Sequence, residues 1–316
     1  MTGFTRNTVP NSVYLTAAIA LIAAWCVPTS YAYSETLHIK HPYNIASDEI
    51  YAEKTRYLVE LLDLTMRKSG LDYSLEKVQL DTVTANRNTR NLLSGLYDVN
   101  WMHTNKYREQ ILLPIRIPLF RGLTGWRLMM LRKGGQQAFD SVKSLADIKQ
   151  LVAGQGHDWP DTAILKYHNF RLITSTSRNS LTHMLEGKRV DYFPRAVMEI
   201  WDELEVYKDE PIEIESRFAI VYPTANYFFV KHNNFTLGAA LSKGLNKSIA
   251  DGSFNALFMS HYGEDIARSN LQSRTIFYLD NPNLSPETPL SRQELWYSID
   301  AEKNSPILKT TNTVTP

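Results

Sequence analysis

The order of apolar patterns predicts an α/β chain in two lobes, each a mostly parallel sheet covered by helices, with two extended hinge crossings between them. Three observations carry this. Residues 37–103 alternate strand-like and helix-like patterns as β-α-β-α-β, which demands helical crossovers between parallel strands. A second run of the same kind follows over residues 144–207. Two long extended stretches, 116–135 and 212–234, bracket that second run and read as the chain leaving one lobe and returning to it.

LHIKHP (37–42) alternates apolar and polar side chains, the period of a strand. YAEKTRYLVELLDLTMRKS (51–69) carries a helical stripe at Tyr57, Leu58, Leu61, Leu62, Leu64 and Thr65, and Gly70 is its stop. YSLEKVQL (73–80) is a second strand, and TRNLLSGLYDVNWMH (89–103) a helix, a glycine stop and a third strand. In the second run, SLADIKQ (144–150) is a short helix, LVAGQG a strand with its turn, and DTAILKYHN a helix. FRLITSTS (170–177) is a strand, SLTHMLEGKR (180–189) a helix, VDYFPRAV (190–197) a strand and VMEIWDELEVY (197–207) a helix. Residues 236–263 form one or two helices broken at Asp251-Gly252. The lobes are therefore residues 33–120 with 232–271, and residues 121–231. The tail, 272–316, is polar and proline-punctuated. It is expected to wrap the first lobe through Leu279, Leu290 and Trp296, and to be disordered at its end.

The first 32 residues differ from the rest. Arg6 is their only charge, an apolar run spans residues 12–27, and Ser30-Tyr31-Ala32 offers small residues at a cleavage site. This reads as a secretory signal peptide. The run is shorter than the ~20 residues of a spanning helix. Cys26, the only cysteine, goes with it, and Trp25 before it argues against a lipid anchor. An exported, disulfide-free, periplasmic protein is expected. The net charge of +1 provides no field for nucleic acid. HExxH, CxxC, GxSxG and GxxxxGK patterns are absent, and the eight histidines are scattered, so neither metal nor cofactor is assigned.

Five segments, taken in order, resemble the extracellular solute-binding proteins of the amino-acid-binding type (family 3). They are SGLYDVNWMHTNKYREQI (94–111), LMMLRKG (128–134), SLADIK (144–149), LEGKRVDYF (185–193) and IADGSFNALFMSHYG (249–263). The resemblance covers residues 36–265. It implies two lobes closing on a small solute by hinge bending, delivery to an inner-membrane importer or sensor, and a monomer.

The resemblance also implies site residues. Thr104 and Arg108 match a threonine and an arginine that grip a ligand carboxylate, with one extra residue between them. A salt bridge of Arg108 to Glu109 is the alternative. AGQGHDWPDT (153–162) would end a strand and open a helix. Its free backbone N–H groups suit an anionic or polar ligand group, unless Asp158 or Asp161 caps the helix, and His157 and Trp159 either face the cleft or sit in a capped turn with a buried indole. Where the family has an ammonium-binding aspartate this chain has Ala196, beside Arg195. A missing anion and an added cation point to an anionic ligand, unless Arg195 pairs with Asp191 or Glu199. Tyr43, Ser175 and Ser177 are further ligand candidates by position. Trp126 and Tyr227, on the crossings, are core or ligand residues. Two other readings stand beside solute binding. One is a dehydratase-like enzyme using His157, Asp158 and Asp161; the other is a ligand-free interaction protein.

Overall fold

In the computed structural model, residues 1–3, 36–44, 49–80 and 85–299 are described. All secondary structure belongs to the unit Thr36–Pro316. The expected signal peptide, apart from its first three residues, and the expected disordered end lie outside the described residues.

The first lobe begins with β1 (Leu37–Asn44), α1 (Glu49–Ser69) and β2 (Tyr73–Leu80). The two strands pair in parallel from Leu37↔Tyr73 to Asn44↔Leu80. The stripe predicted for α1 is buried: Tyr57, Leu58, Leu61, Leu62, Leu64 and Thr65 all face the core. Gly70 ends the helix at φ 79°, a left-handed conformation that costs glycine least. Then come α2 (Ala85–Ser94), β3 (Val99–His103), α3 (Lys106–Ile111) and β4 (Leu112–Ile115). Asp98, just before β3, docks on β1 through Asp98 N–H to Lys40 O (2.8 Å) and Lys40 N–H to Asp98 Oδ2 (2.9 Å).

The chain crosses through a 3-10 turn (Leu123–Gly125) into β5 (Trp126–Arg132). The second lobe adds α4 (Gln137–Asp140), α5 (Leu145–Gln150), β6 (Val152–Gly156), α6 (Pro160–Tyr167) and β7 (Arg171–Ser175). It continues with α7 (Arg178–Glu186), β8 (Phe193–Ala196), α8 (Val197–Val206), β9 (Ile212–Ile214) and β10 (Phe218–Val221). The chain returns along β11 (Asn226–Lys231) to α9 (Phe235–Ala250) and α10 (Ser253–Arg268), and β12 (Thr275–Tyr278) follows.

The sheets are mixed rather than mostly parallel. β1–β2, β6–β7 and β10–β12 are parallel, whereas β11 runs antiparallel to β3 and β4, and β5 antiparallel to β8, β9 and β10. The physical reason is the crossing. The βα units run their strands toward the cleft, and a strand arriving from the other lobe enters from the cleft end. The two crossings lie in backbone contact. Thr124 and Thr224 hydroxyls meet at 2.6 Å, and a Cβ on Gly125 would sit 1.9 Å from Tyr222 O, so only glycine fits there.

The tail departs from expectation. β12 extends the second-lobe sheet beside β10, and Leu279 is buried in that lobe's core. The tail then reaches the crossing, where Trp296 covers Gly122 and Tyr297 packs edge-on against Trp126 at 5.1 Å. First-lobe contact is made by Trp296, packed against the cluster that holds Leu92, Tyr97 and Leu112, by Ser285 Oγ to Glu109 Oε2 (2.8 Å) and by Arg292 to Asn246 Oδ1 (3.1 Å). Leu290 is exposed, so the apolar weight falls instead on Leu295, which is fully buried. Among the described residues, no helix is long and apolar enough to cross a membrane.

Candidate ligand-binding site

The C-terminal ends of β3, β6 and β8 and the first turns of α6 and α8 converge where the lobes meet. Their charged side chains form one buried cluster. Glu199, in the first turn of α8, takes the Lys54 ammonium from α1 of the other lobe, Arg195 Nη2 at 2.9 Å and Arg127 Nη1 at 3.9 Å. One turn on, Glu203 is fully buried and accepts from Arg195 Nε (2.6 Å), Arg195 Nη2 (2.5 Å) and Arg178 Nη1 (3.2 Å). Asp161, in the first turn of α6, accepts from Arg127 Nη2 and from the Tyr222 hydroxyl at 2.7 Å. Four cations thus surround three carboxylates.

Burial and pairing pull these groups in opposite directions. Burial alone would raise the Glu199 pKa; Lys54, Arg195 and Arg127 overcome it and hold the carboxyl well below its ordinary value. Burial would lower Arg195 and Arg127, but their carboxylate partners raise both. Burial raises the Tyr222 phenol well above its usual range. His103, at the end of β3, is lowered to about 4: burial leads, Asp161 opposes it, and Lys54 and Arg127 add to the lowering.

The Arg195 guanidinium lies over the Trp159 ring at 4.7 Å and the Phe193 ring at 5.1 Å. The indole rests against the backbone of Gly156, where a Cβ would come within 2.2 Å of it. The stretch AGQGHDWPDT is therefore glycine-rich because Trp159 packs on its own turn. Trp159 is half-buried at the N-cap of α6 with no side-chain cap, and Pro160 opens the helix. Neither Asp158 nor Asp161 caps it; Asp161 belongs to the ion cluster.

Arg108 differs from Arg195. It is 6% exposed, and its Nε donates to Thr89 Oγ1 (3.1 Å) and its Nη1 to His103 O (2.6 Å). Among the described residues no carboxylate lies within ion-pair distance of it, Glu109 included. Glu109 instead holds Arg116 (2.8 Å), Ser285 and the Thr104 hydroxyl. Thr104 is buried and anchored to the returning crossing by its N–H to Ala225 O at 2.8 Å.

The remaining predicted residues do not join the cluster. Arg195, on β8 and expected as an added cation for the ligand, is neutralised by Glu199 and Glu203 of the following helix α8, while Asp191 accepts from Val152 N–H at 2.7 Å. His157 is exposed and bonds Thr174 Oγ1 at 3.2 Å. With Asp158 exposed and Asp161 buried among other partners, the three residues of the enzyme reading do not form one site. Ser175 Oγ accepts from Ser177 N–H, and Ser177 caps α7. Trp126 and Tyr227 are core residues, at 6% and 0% exposure. Tyr43 is half-buried on β1 with the Lys77 ammonium 4.6 Å from its ring centroid.

Lys54, His103, Arg127, Glu203 and Tyr222 escaped sequence reasoning, whereas Glu199 was named as an alternative partner of Arg195 and is paired with it. The spacing of Glu199 and Glu203, four apart on one helical face, was a usable signal for the second carboxylate. A cavity of about 610 Å³ lies elsewhere, between α1, β2 and α10, and holds none of the predicted residues. Among the described residues, no group of three or more His, Cys, Asp or Glu side chains is placed to hold a metal.

No protein-family model matches the chain, and no curated protein matches it. Solved structures do. The probable amino-acid ABC transporter extracellular-binding protein of Bacillus subtilis aligns with a TM-score of 0.55 at 17% identity, covering 73% of this chain and 100% of its own. A periplasmic His/Glu/Gln/Arg/opine family-binding protein from Silicibacter pomeroyi, in complex with lysine, aligns at 0.51 and 13%, covering 72% and 98%. An ancestral arginine-binding protein bound to arginine aligns at 0.50 and 16%, covering 71% and 98%. The chain has the two-lobed fold of the amino-acid-binding periplasmic proteins.

Proposed function

We propose that this chain is a periplasmic solute-binding protein, a monomer that captures a small carboxylate-bearing solute between its lobes and presents it to an importer or a sensor. Arg108 carries the reading. A buried guanidinium whose observed donors meet only neutral oxygens is a poor structural choice and a good anion site, because it can offer further N–H groups to a carboxylate. It donates to the carbonyl of His103, whose imidazole is lowered first by burial, with Asp161 and Arg127 of the opposite lobe among the charges acting on it, which favours a site facing that lobe. The neighbours support the reading by fold and by the amino acids bound in two of them, arginine and lysine.

A thermal-shift screen of the purified protein against amino acids, hydroxy acids and dicarboxylates tests it. The expected outcome is a rise in Tm with at least one carboxylate, lost in Arg108→Ala. A ligand whose shift survives Arg108→Ala would remove Arg108 from the site, and no shift with any member of the panel would remove the solute-binding reading.

A further inference from the structure

Resting on the solute-binding reading, we infer that the cleft selects a hydroxy-carboxylate and rejects the matching amino acid. An ammonium group needs a carboxylate to receive it. In the second lobe, every residue of which is described, the cleft carboxylates Asp161, Glu199 and Glu203 already hold Arg127, Lys54, Arg195 and Arg178. Admitting an ammonium means separating one of these buried pairs. Asp158, exposed on the loop before α6, is the remaining acid of that turn and stands outside the cluster.

The groups lacking partners ask for a different ligand. Arg127 Nε and Gln155 Nε2 are buried donors with no acceptor, on residues 4% and 0% exposed. Gln155 cannot be relieved by turning its amide, because its Oε1 accepts from Gly156 N–H at 3.0 Å. Each lies on the core-facing side of its own strand, Arg127 two residues before Met129 on β5 and Gln155 two after Ala153 on β6, and Arg127 reaches Asp161 in the first turn of α6. On the returning crossing, Asn226 Oδ1 is a buried acceptor without a donor, in register with His103. A neutral carbonyl oxygen takes a hydroxyl without any charge to balance. Donors waiting for acceptors and a neutral acceptor together fit a carboxylate bearing a hydroxyl.

Calorimetric titration of the purified protein with matched pairs tests this: lactate against alanine, glycerate against serine, malate against aspartate. The expected result is that at least one hydroxy acid binds more than about tenfold tighter than its amino partner, since a site with fixed polar groups discriminates strongly between such partners. Equal or tighter binding of the amino acid in every pair that binds overturns the inference and leaves solute binding intact. Binding of neither member of any pair, with no shift in the broader screen, overturns both.

Discussion

Arg108 and Arg195 are equally hidden, at 6% and 5% exposure, yet they are held in opposite ways. Arg195 meets two carboxylates of the helix that follows its strand and lies over two aromatic rings. Arg108 meets a hydroxyl and a carbonyl, and burial lowers its pKa without an acid to restore it. A buried cation with its counter-charge is part of the scaffold, and one without it is available to a ligand. The difference lies in what the neighbouring helix supplies: α8 brings Glu199 and Glu203 four and eight residues after Arg195, whereas the acid beside Arg108, Glu109, is turned to Arg116.

The sharpest way to break this comparison is to truncate each arginine. Arg195→Ala leaves Glu203 buried with Arg178 as its remaining cation, and a loss of about 3–5 kcal/mol in folding stability is expected. Arg195→Met with Glu203→Leu removes charge from both sides and should recover most of it. Arg108→Ala removes two hydrogen bonds to neutral oxygens and should cost about 1–2 kcal/mol while abolishing ligand binding. Denaturant unfolding reads all three. If Arg108→Ala proved as costly as Arg195→Ala, Arg108 would be a scaffold residue as well.

A smaller effect is expected at the tie between lobes. Lys54→Met removes the ammonium that α1 lends to Glu199, which keeps Arg195 and Arg127. Stability should fall by about 1 kcal/mol, discounted because both side chains retain some solvent. The ligand-free protein should also open, seen as a larger radius of gyration in solution scattering. No change in radius would mean that the crossings and the tail alone set the lobe spacing.

Much of the fold was legible because helical and strand periods are local. The α1 stripe, the break at Asp251-Gly252 and the β6–α6 turn all follow from side chains within one or two turns of chain. Strand direction was not local: β5 and β11 look like any extended run, and their antiparallel pairing comes from the lobe they arrive from. The strand that the tail adds to the second lobe was missed for a related reason. TIFY carries the apolar pattern of a strand, but its partner β10 is chosen by the free edge of the second-lobe sheet. At the site, Arg108 and Trp159 were visible as residue types in a motif. Arg127 and Tyr222 were hidden because each comes from a different element and acquires its role only from the others.

The smallest expected effect is in the pH profile, where two groups of the first lobe, His103 and Asp265, oppose each other. His103 titrates near 4 in the folded protein and near 6.5 when unfolded, so between these values the unfolded chain binds more protons and stability rises with pH. Asp265 is raised to about 7 from an ordinary value of 3.8, first by burial and then by Asp202, with Glu264 adding and Arg268 opposing. There the folded chain binds more protons, so stability falls as pH rises from about 4 to 7. The two slopes overlap and largely cancel in the wild type. His103→Gln should uncover the fall and Asp265→Asn the rise, each by about 1–2 kcal/mol across the window, since His103 as a residue is half-buried and Asp265 keeps partial solvent access. Urea midpoints at pH 4.5, 5.5 and 6.5 for the three proteins would show the profiles diverging in opposite directions. Parallel profiles would mean that neither group is held away from its unfolded pKa, and that the ion cluster around Glu199 does not reach the His103 ring.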